Sequence, residues 1–180
     1  MAQFARPASD VSNSGWSPST GSTLYGCIDE ATASDTDYIV NSGAAGTCEV
    51  KLSNVTDPSV GNGHVLRVRC SPEGSFGEDS KYTVGLYQGT TLIATALSNS
   101  APPFSATTYS VTLTSTQADS ISDYTNLRIR FQEVHRGDGR YSLFSWAEFE
   151  VPDASSGQSL TLTCAAGSYS LAGVACTLTY

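Results

Sequence analysis

Apolar and polar residues alternate along most of eight short runs of this chain, and that period of two constrains the fold more than any other feature. In 64–70 (HVLRVRC), Leu66, Val68 and Cys70 fall on one side and Arg67 and Arg69 on the other. In 126–134 (NLRIRFQEV), Leu127, Ile129 and Phe131 oppose Arg128 and Arg130. Successive strand residues point to opposite faces, so each such run offers one face to a core and one to water. The other runs are 36–40, 47–53, 80–87, 91–97, 107–114 and 141–151.

Turn chemistry separates the runs. Asp57-Pro58 and Gly61-Asn62-Gly63 divide two of them, while Gln88-Gly89 and Asp138-Gly139 each predict a tight hairpin. A single helical turn is expected from Ser115 to Ser122, with Ser115 or Thr116 as its cap. No helix is long enough for a parallel α/β fold. The chain of 180 residues can bury a sizeable core without metals or disulfides. Its 14% of charged residues leaves room for the Ser, Thr and Gly that a turn-rich protein uses. The expectation is an all-β antiparallel β-sandwich, jelly-roll-like, over residues 1–151.

Residues 152–159 (PDASSGQS) read as a linker, and 160–180 as a short C-terminal β appendage. Leu160, Leu162 and Cys164 line one face of its first segment, and Val174, Cys176 and Leu178 one face of its last. Burying such side chains yields about 5–8 kcal/mol, less than the cost of ordering about 20 residues. The appendage is therefore expected to dock on its own domain, to trimerise or to add strands to a neighbour.

The net charge of −8, with a pI near 4.5, disfavours nucleic acid and anionic membranes as partners. The opening MAQFARPASDVSNSGW has no apolar core of a signal peptide, and no run approaches the roughly 18 apolar residues of a membrane-spanning helix. The five cysteines, Cys27, Cys48, Cys70, Cys164 and Cys176, match neither a disulfide framework nor a zinc site. Cys48 and Cys70 are in phase with apolar strand positions and are expected to be small buried residues; a Cys164–Cys176 bridge is the one pairing worth weighing.

Four stretches could carry chemistry. Asp29, Glu30, Asp35 and Asp37 put four carboxylates within nine positions, an oxygen-rich set that calcium could use, but without EF-hand spacing. A solvated acidic turn is the simpler reading, so no metal or cofactor is assigned. His64 and His135 have no triad signature around them, and no catalytic residue is assigned. Arg136-Gly137-Asp138 spells an adhesion tripeptide but sits where hairpin chemistry is expected. In 144–151 (FSWAEFEV), Ser145, Ala147, Phe149 and Val151 share one face, which turns Phe144 and Trp146 outward unless a loop covers them. An exposed Trp146 would be an interface anchor or a sugar-stacking platform, with Tyr141 beside it. Ser122-Asp123-Tyr124 resembles the tyrosine corner of β-sandwiches.

Several segments taken together resemble a group of tailed-bacteriophage virion proteins. They are ARPASDVSNSGW, LYGCIDEATASDTDYI, CEVKLSNVTDP with GHVLRVR, YTVGLYQGTTLIAT, LTSTQADSISDYTNLRIRF and SWAEFEVP, in order over residues 5 to 152. The closing GSYSLAGVACTLTY is similar to β segments appended to phage structural proteins. The resemblance implies a non-enzymatic virion component assembled in the host cytoplasm. Its expected role is a capsid decoration (cement) protein, trimeric and bound to the major capsid protein or other virion proteins. Leu160, Leu162, Val174, Leu178 and Tyr180 would be the tail contacts, with Trp146 a further interface residue. The alternative it leaves is a glycan- or host-surface-binding module on a head or tail appendage.

Overall fold

The structure is a computed structural model and describes residues 1–41, 45–75 and 77–154. Its strands are β1 (Gln3–Ala5), β2 (Pro7–Asn13), β3 (Trp16–Pro18), β4 (Ile39–Asn41), β5 (Thr47–Leu52), β6 (Val65–Glu73), β7 (Lys81–Gln88), β8 (Thr91–Ser100), β9 (Thr107–Thr112), β10 (Leu127–His135) and β11 (Tyr141–Val151). A 3-10 turn spans Tyr25–Cys27, and one short helix, α1, spans Ser115–Asp119.

All strand pairs are antiparallel. One sheet runs β3-β4-β11-β6-β9, with β1 also paired to β11; the other runs β2-β5-β10-β7-β8. The eight strands β4 to β11 make the orders β4-β11-β6-β9 and β5-β10-β7-β8. Among these eight, the chain passes from one sheet to the other at every connection except the β7–β8 hairpin, which is the jelly-roll arrangement. The sequence-based sandwich is thus the observed fold, and each of the eight runs is a strand.

The core lies between the sheets. Leu66, Val68 and Cys70 of β6 are buried, as are Ile129 and Phe131 of β10, and Arg67, Arg69, Arg128 and Arg130 point outward. Trp16, Tyr82, Phe131 and Phe144 form an aromatic cluster with ring centroids 5.1–6.2 Å apart. Cys27, Cys48 and Cys70 are free and buried; the apolar surroundings of Cys70 push its thiol up to about 12. Cys164 and Cys176 lie outside the described residues, as do the linker beyond 154 and the whole 160–180 appendage.

Four local expectations are corrected. Between Phe144 and Trp146 the β6–β11 register shifts by one residue: Phe144 pairs with Cys70, and Trp146 with Arg69. This bulge at Ser145 sends Phe144 into the core rather than outward. Asp138-Gly139 is not a hairpin, because β10 and β11 lie in different sheets. The helix cap is Thr114, in a reciprocal capping box with Gln117, rather than Ser115 or Thr116. Tyr124 is buried, but its hydroxyl meets His64 Nε2 at 2.8 Å, a side-chain pair in place of a tyrosine corner.

Candidate functional site

At one end of the sandwich three connections converge: 74–80 between β6 and β7, 101–106 between β8 and β9, and 136–140 between β10 and β11. Backbone and side-chain hydrogen bonds knit the first and third together. Gly139 N–H donates to the Glu78 carbonyl (2.8 Å), Ser80 N–H to the Arg140 carbonyl (2.9 Å), and Glu78 N–H to Asp138 Oδ1 (2.9 Å). Two glycines permit this approach. A Cβ on Gly137 would lie 1.8 Å from the Glu78 carbonyl oxygen. Gly77 holds φ at +146°, a conformation that side-chain-bearing residues rarely adopt.

The knitted loops bound an open cleft of about 450 Å³, lined by Ser75, Gly77, Asp79, Phe104 and Arg140. That volume falls within the range of small-molecule sites, about 300–1,000 Å³. Asp79 grips Arg140 through two oxygens: Nε donates to Oδ1 at 3.1 Å and Nη2 to Oδ2 at 2.6 Å. The Arg140 backbone N–H adds a third bond to Oδ1 at 3.3 Å. The guanidinium beside it holds the Asp79 carboxyl below the usual carboxylate range. The clamped guanidinium then lies over the Phe104 ring, 4.3 Å from its centroid. Phe104 is nevertheless 91% exposed.

The clamp fixes what the cleft can do chemically. The ion pair leaves it close to neutral, with carboxylate acceptors and guanidinium donors side by side at one edge. Phe104 adds an apolar wall presented to water. Such a surface suits a neutral molecule with one flat apolar face and a polar rim.

The sequence-predicted candidates fall elsewhere. Trp146 is buried: residues 28–38 cross the outer face of β11, and the Trp146 indole N–H donates to the Glu30 carbonyl at 2.8 Å. It is not an exposed anchor. Tyr141 is partly buried against the core, with the Arg136 guanidinium 5.6 Å from its ring. The four carboxylates do not converge into a metal site among the described residues. Asp35 instead binds Arg69 through both oxygens (2.8 and 2.5 Å) and accepts from Ser145 Oγ at 2.6 Å. Arg136 is drawn inward, donating to the Asn41 carbonyl at 2.8 Å and meeting Glu133 at 3.4 Å; Asp138 caps Glu78 N–H. The adhesion tripeptide is therefore part of the framework. His64 is buried, and His135 pairs with Glu78 at 3.1 Å. Leu160, Leu162, Val174, Leu178 and Tyr180 lie outside the described residues.

The sequence reading missed Asp79, Phe104 and Arg140. One signal could have found them: Ala101-Pro102-Pro103-Phe104 places a large aromatic after two prolines in a loop between strands, with no partner in the alternation pattern.

No family model and no curated protein matches the chain. Among solved structures it is similar to a Stig cyclase, Fisc from Fischerella sp. TAU, in complex with (3Z)-3-(1-methyl-2-pyrrolidinylidene)-3H-indole. The identity is 18%, with 77% of this chain and 85% of that chain covered, and the TM-score is 0.41. Nothing in these comparisons supports the capsid-decoration expectation. Trp146, the one offered interface residue within the described structure, is enclosed. The cement role and its appendage-borne alternative are both withdrawn.

Proposed function

We propose that this protein is a small-molecule-binding β-sandwich whose site is the loop-end cleft. The ligand is a neutral, ring-shaped molecule with a flat apolar face and hydrogen-bonding groups on its rim. The flat face stacks on Phe104, and the rim meets the polar edge made by Asp79 and Arg140. The observation that carries this is Phe104, 91% exposed on the cleft wall beneath a guanidinium held in place by Asp79. An isolated exposed aromatic is ordinary; one placed beside a preorganised donor–acceptor edge in a cleft of ligand size is a recognition surface. The role is binding rather than catalysis: the Asp79–Arg140 pair spends its charges on each other, which suits holding a ligand more than moving a proton.

The test is a ligand-observed NMR screen of neutral mono- and bicyclic heteroaromatic fragments. At about −0.3 kcal/mol per heavy atom, a ligand of about 15 atoms binds near 1 mM, well within the range of the method. Binding by a subset, weakened about tenfold or more by Phe104→Ala and by Arg140→Ala, is the expected result. Equal binding to wild type and both variants would overturn the reading.

A further inference from the structure

We propose that residues 28–38 are a pH-gated strap that covers Trp146 while the Glu30 carboxyl is protonated and lifts from β11 when it ionises. The strap is pinned at its two ends, by Ile28 in the core and by Tyr38, whose N–H donates to Ser19 Oγ (2.8 Å) and whose carbonyl accepts from Ser19 N–H (2.8 Å), and it is attached at few points between them. Ala147 N–H donates to the Ile28 carbonyl (3.1 Å), the Trp146 indole to the Glu30 carbonyl (2.8 Å), and Arg69 and Ser145 to Asp35. Arg6 reaches the Ala31 carbonyl only at 3.5 Å. Next to the Ile28 anchor, the Glu30–Ala31 stretch is held chiefly through the Glu30 carbonyl, and one oxygen of the Glu30 side chain is poorly accommodated. Glu30 Oε2 is buried and has no hydrogen-bond partner. A neutral carboxyl tolerates that position far better than a carboxylate does.

The surrounding charges reinforce the preference. Asp37 and Asp29, on the same strap, are the carboxylates acting on Glu30, and Asp37 also shares a hydrogen bond with it. The cations on the adjoining sheet are already committed. Arg6 pairs with Glu148 at 2.5 Å, Arg67 with Glu148 and Glu150 at 3.3 and 2.5 Å, and Arg69 with Asp35 at 2.5 Å. Burial raises the Glu30 carboxyl from its ordinary 4.5 to about 7; its own backbone N–H, which favours the carboxylate, partly opposes this, and the Asp37 contact adds to it. The sign follows from linkage. The closed strap holds the proton more tightly than the open one, so closure is fully favoured below the ordinary carboxyl range and is lost as pH rises through about 7. Opening exposes the indole on an otherwise charged sheet face.

The chain has two tryptophans, Trp16 in the core and Trp146 under the strap, so two indole N–H resonances report the two places separately. The experiment measures their hydrogen-exchange rates in the full-length protein from pH 5.5 to 8.5, in EDTA, after correction for intrinsic base catalysis. The expected result is a fall of tenfold or more in Trp146 protection with a midpoint near 7, while Trp16 protection and far-UV circular dichroism stay constant. In Glu30→Gln the Trp146 protection should lose its pH dependence. Constant Trp146 protection in the wild type, the same transition in Glu30→Gln, or simultaneous loss of Trp16 protection would each overturn the proposal. Emission of Trp146 in a Trp16→Phe background gives a second readout, with a red shift above pH 7 expected and an unchanged spectrum contrary to it.

Discussion

Ser145 shows how much one residue can decide. Counted strictly by twos, 144–151 sends Phe144 and Trp146 to the same face. The extra residue at Ser145 separates them, so Phe144 fills the core beside Phe131 (5.1 Å) while Trp146 stays on the outer face beneath the strap. Period-two reading cannot see a bulge, because the sequence on either side of it alternates normally. The consequence is testable by stability. Phe144→Ala removes a fully buried ring and should cost about 3–5 kcal/mol in urea unfolding. Phe104→Ala, at a residue 91% exposed, should change stability by no more than about 0.5 kcal/mol while removing binding. The same contrast explains why Phe104 was illegible: a functional aromatic in a loop has no periodic neighbour to mark it.

At the scale of elements, the central strands were readable because most of them, such as β6 and β10, keep one face dry. Strands β1, β2 and β3 were not. β2 is exposed beyond Pro7, Val11 included; it pairs with β5 through two register shifts and buries no alternate face. Its position is fixed instead by side-chain bonds such as Asp10 accepting from Leu24 N–H (2.9 Å) and Tyr25 N–H (2.8 Å). Helix α1 was readable as an element, but its cap was not, since Ser115 and Thr116 are as suitable by type as Thr114. The observed capping box predicts that Thr114→Ala destabilises the protein by about 1 kcal/mol, whereas Thr116→Ala is close to neutral, as measured by thermal unfolding. On β5 and β10, Glu49 pairs with Arg130 at 2.5 Å and Arg128 at 3.4 Å, closing the outer face of that sheet with matched charge. Alternation foretold where these arginines point, and the pairing required the register.

The whole molecule follows from two properties of the chain: short alternating runs and the turns between them. A jelly roll places neighbours in sequence on opposite sheets, so its packing is mostly non-local and its folding is expected in the millisecond-to-second range. The buried core among the described residues extends from Ala5 to Val151. The cleft, in contrast, was not readable at this scale, because it exists only where three connections distant in sequence meet at one end of the fold.

Amide-resolved NMR decides whether Phe104, Asp79 and Arg140 bind a ligand together. Fragments that pass the screen are titrated into isotope-labelled protein and their shift changes mapped. The account predicts saturable changes centred on Ser75, Gly77, Asp79, Phe104 and Arg140, lost in Phe104→Ala. Changes centred elsewhere, or none from any neutral ring-shaped fragment, would contradict it.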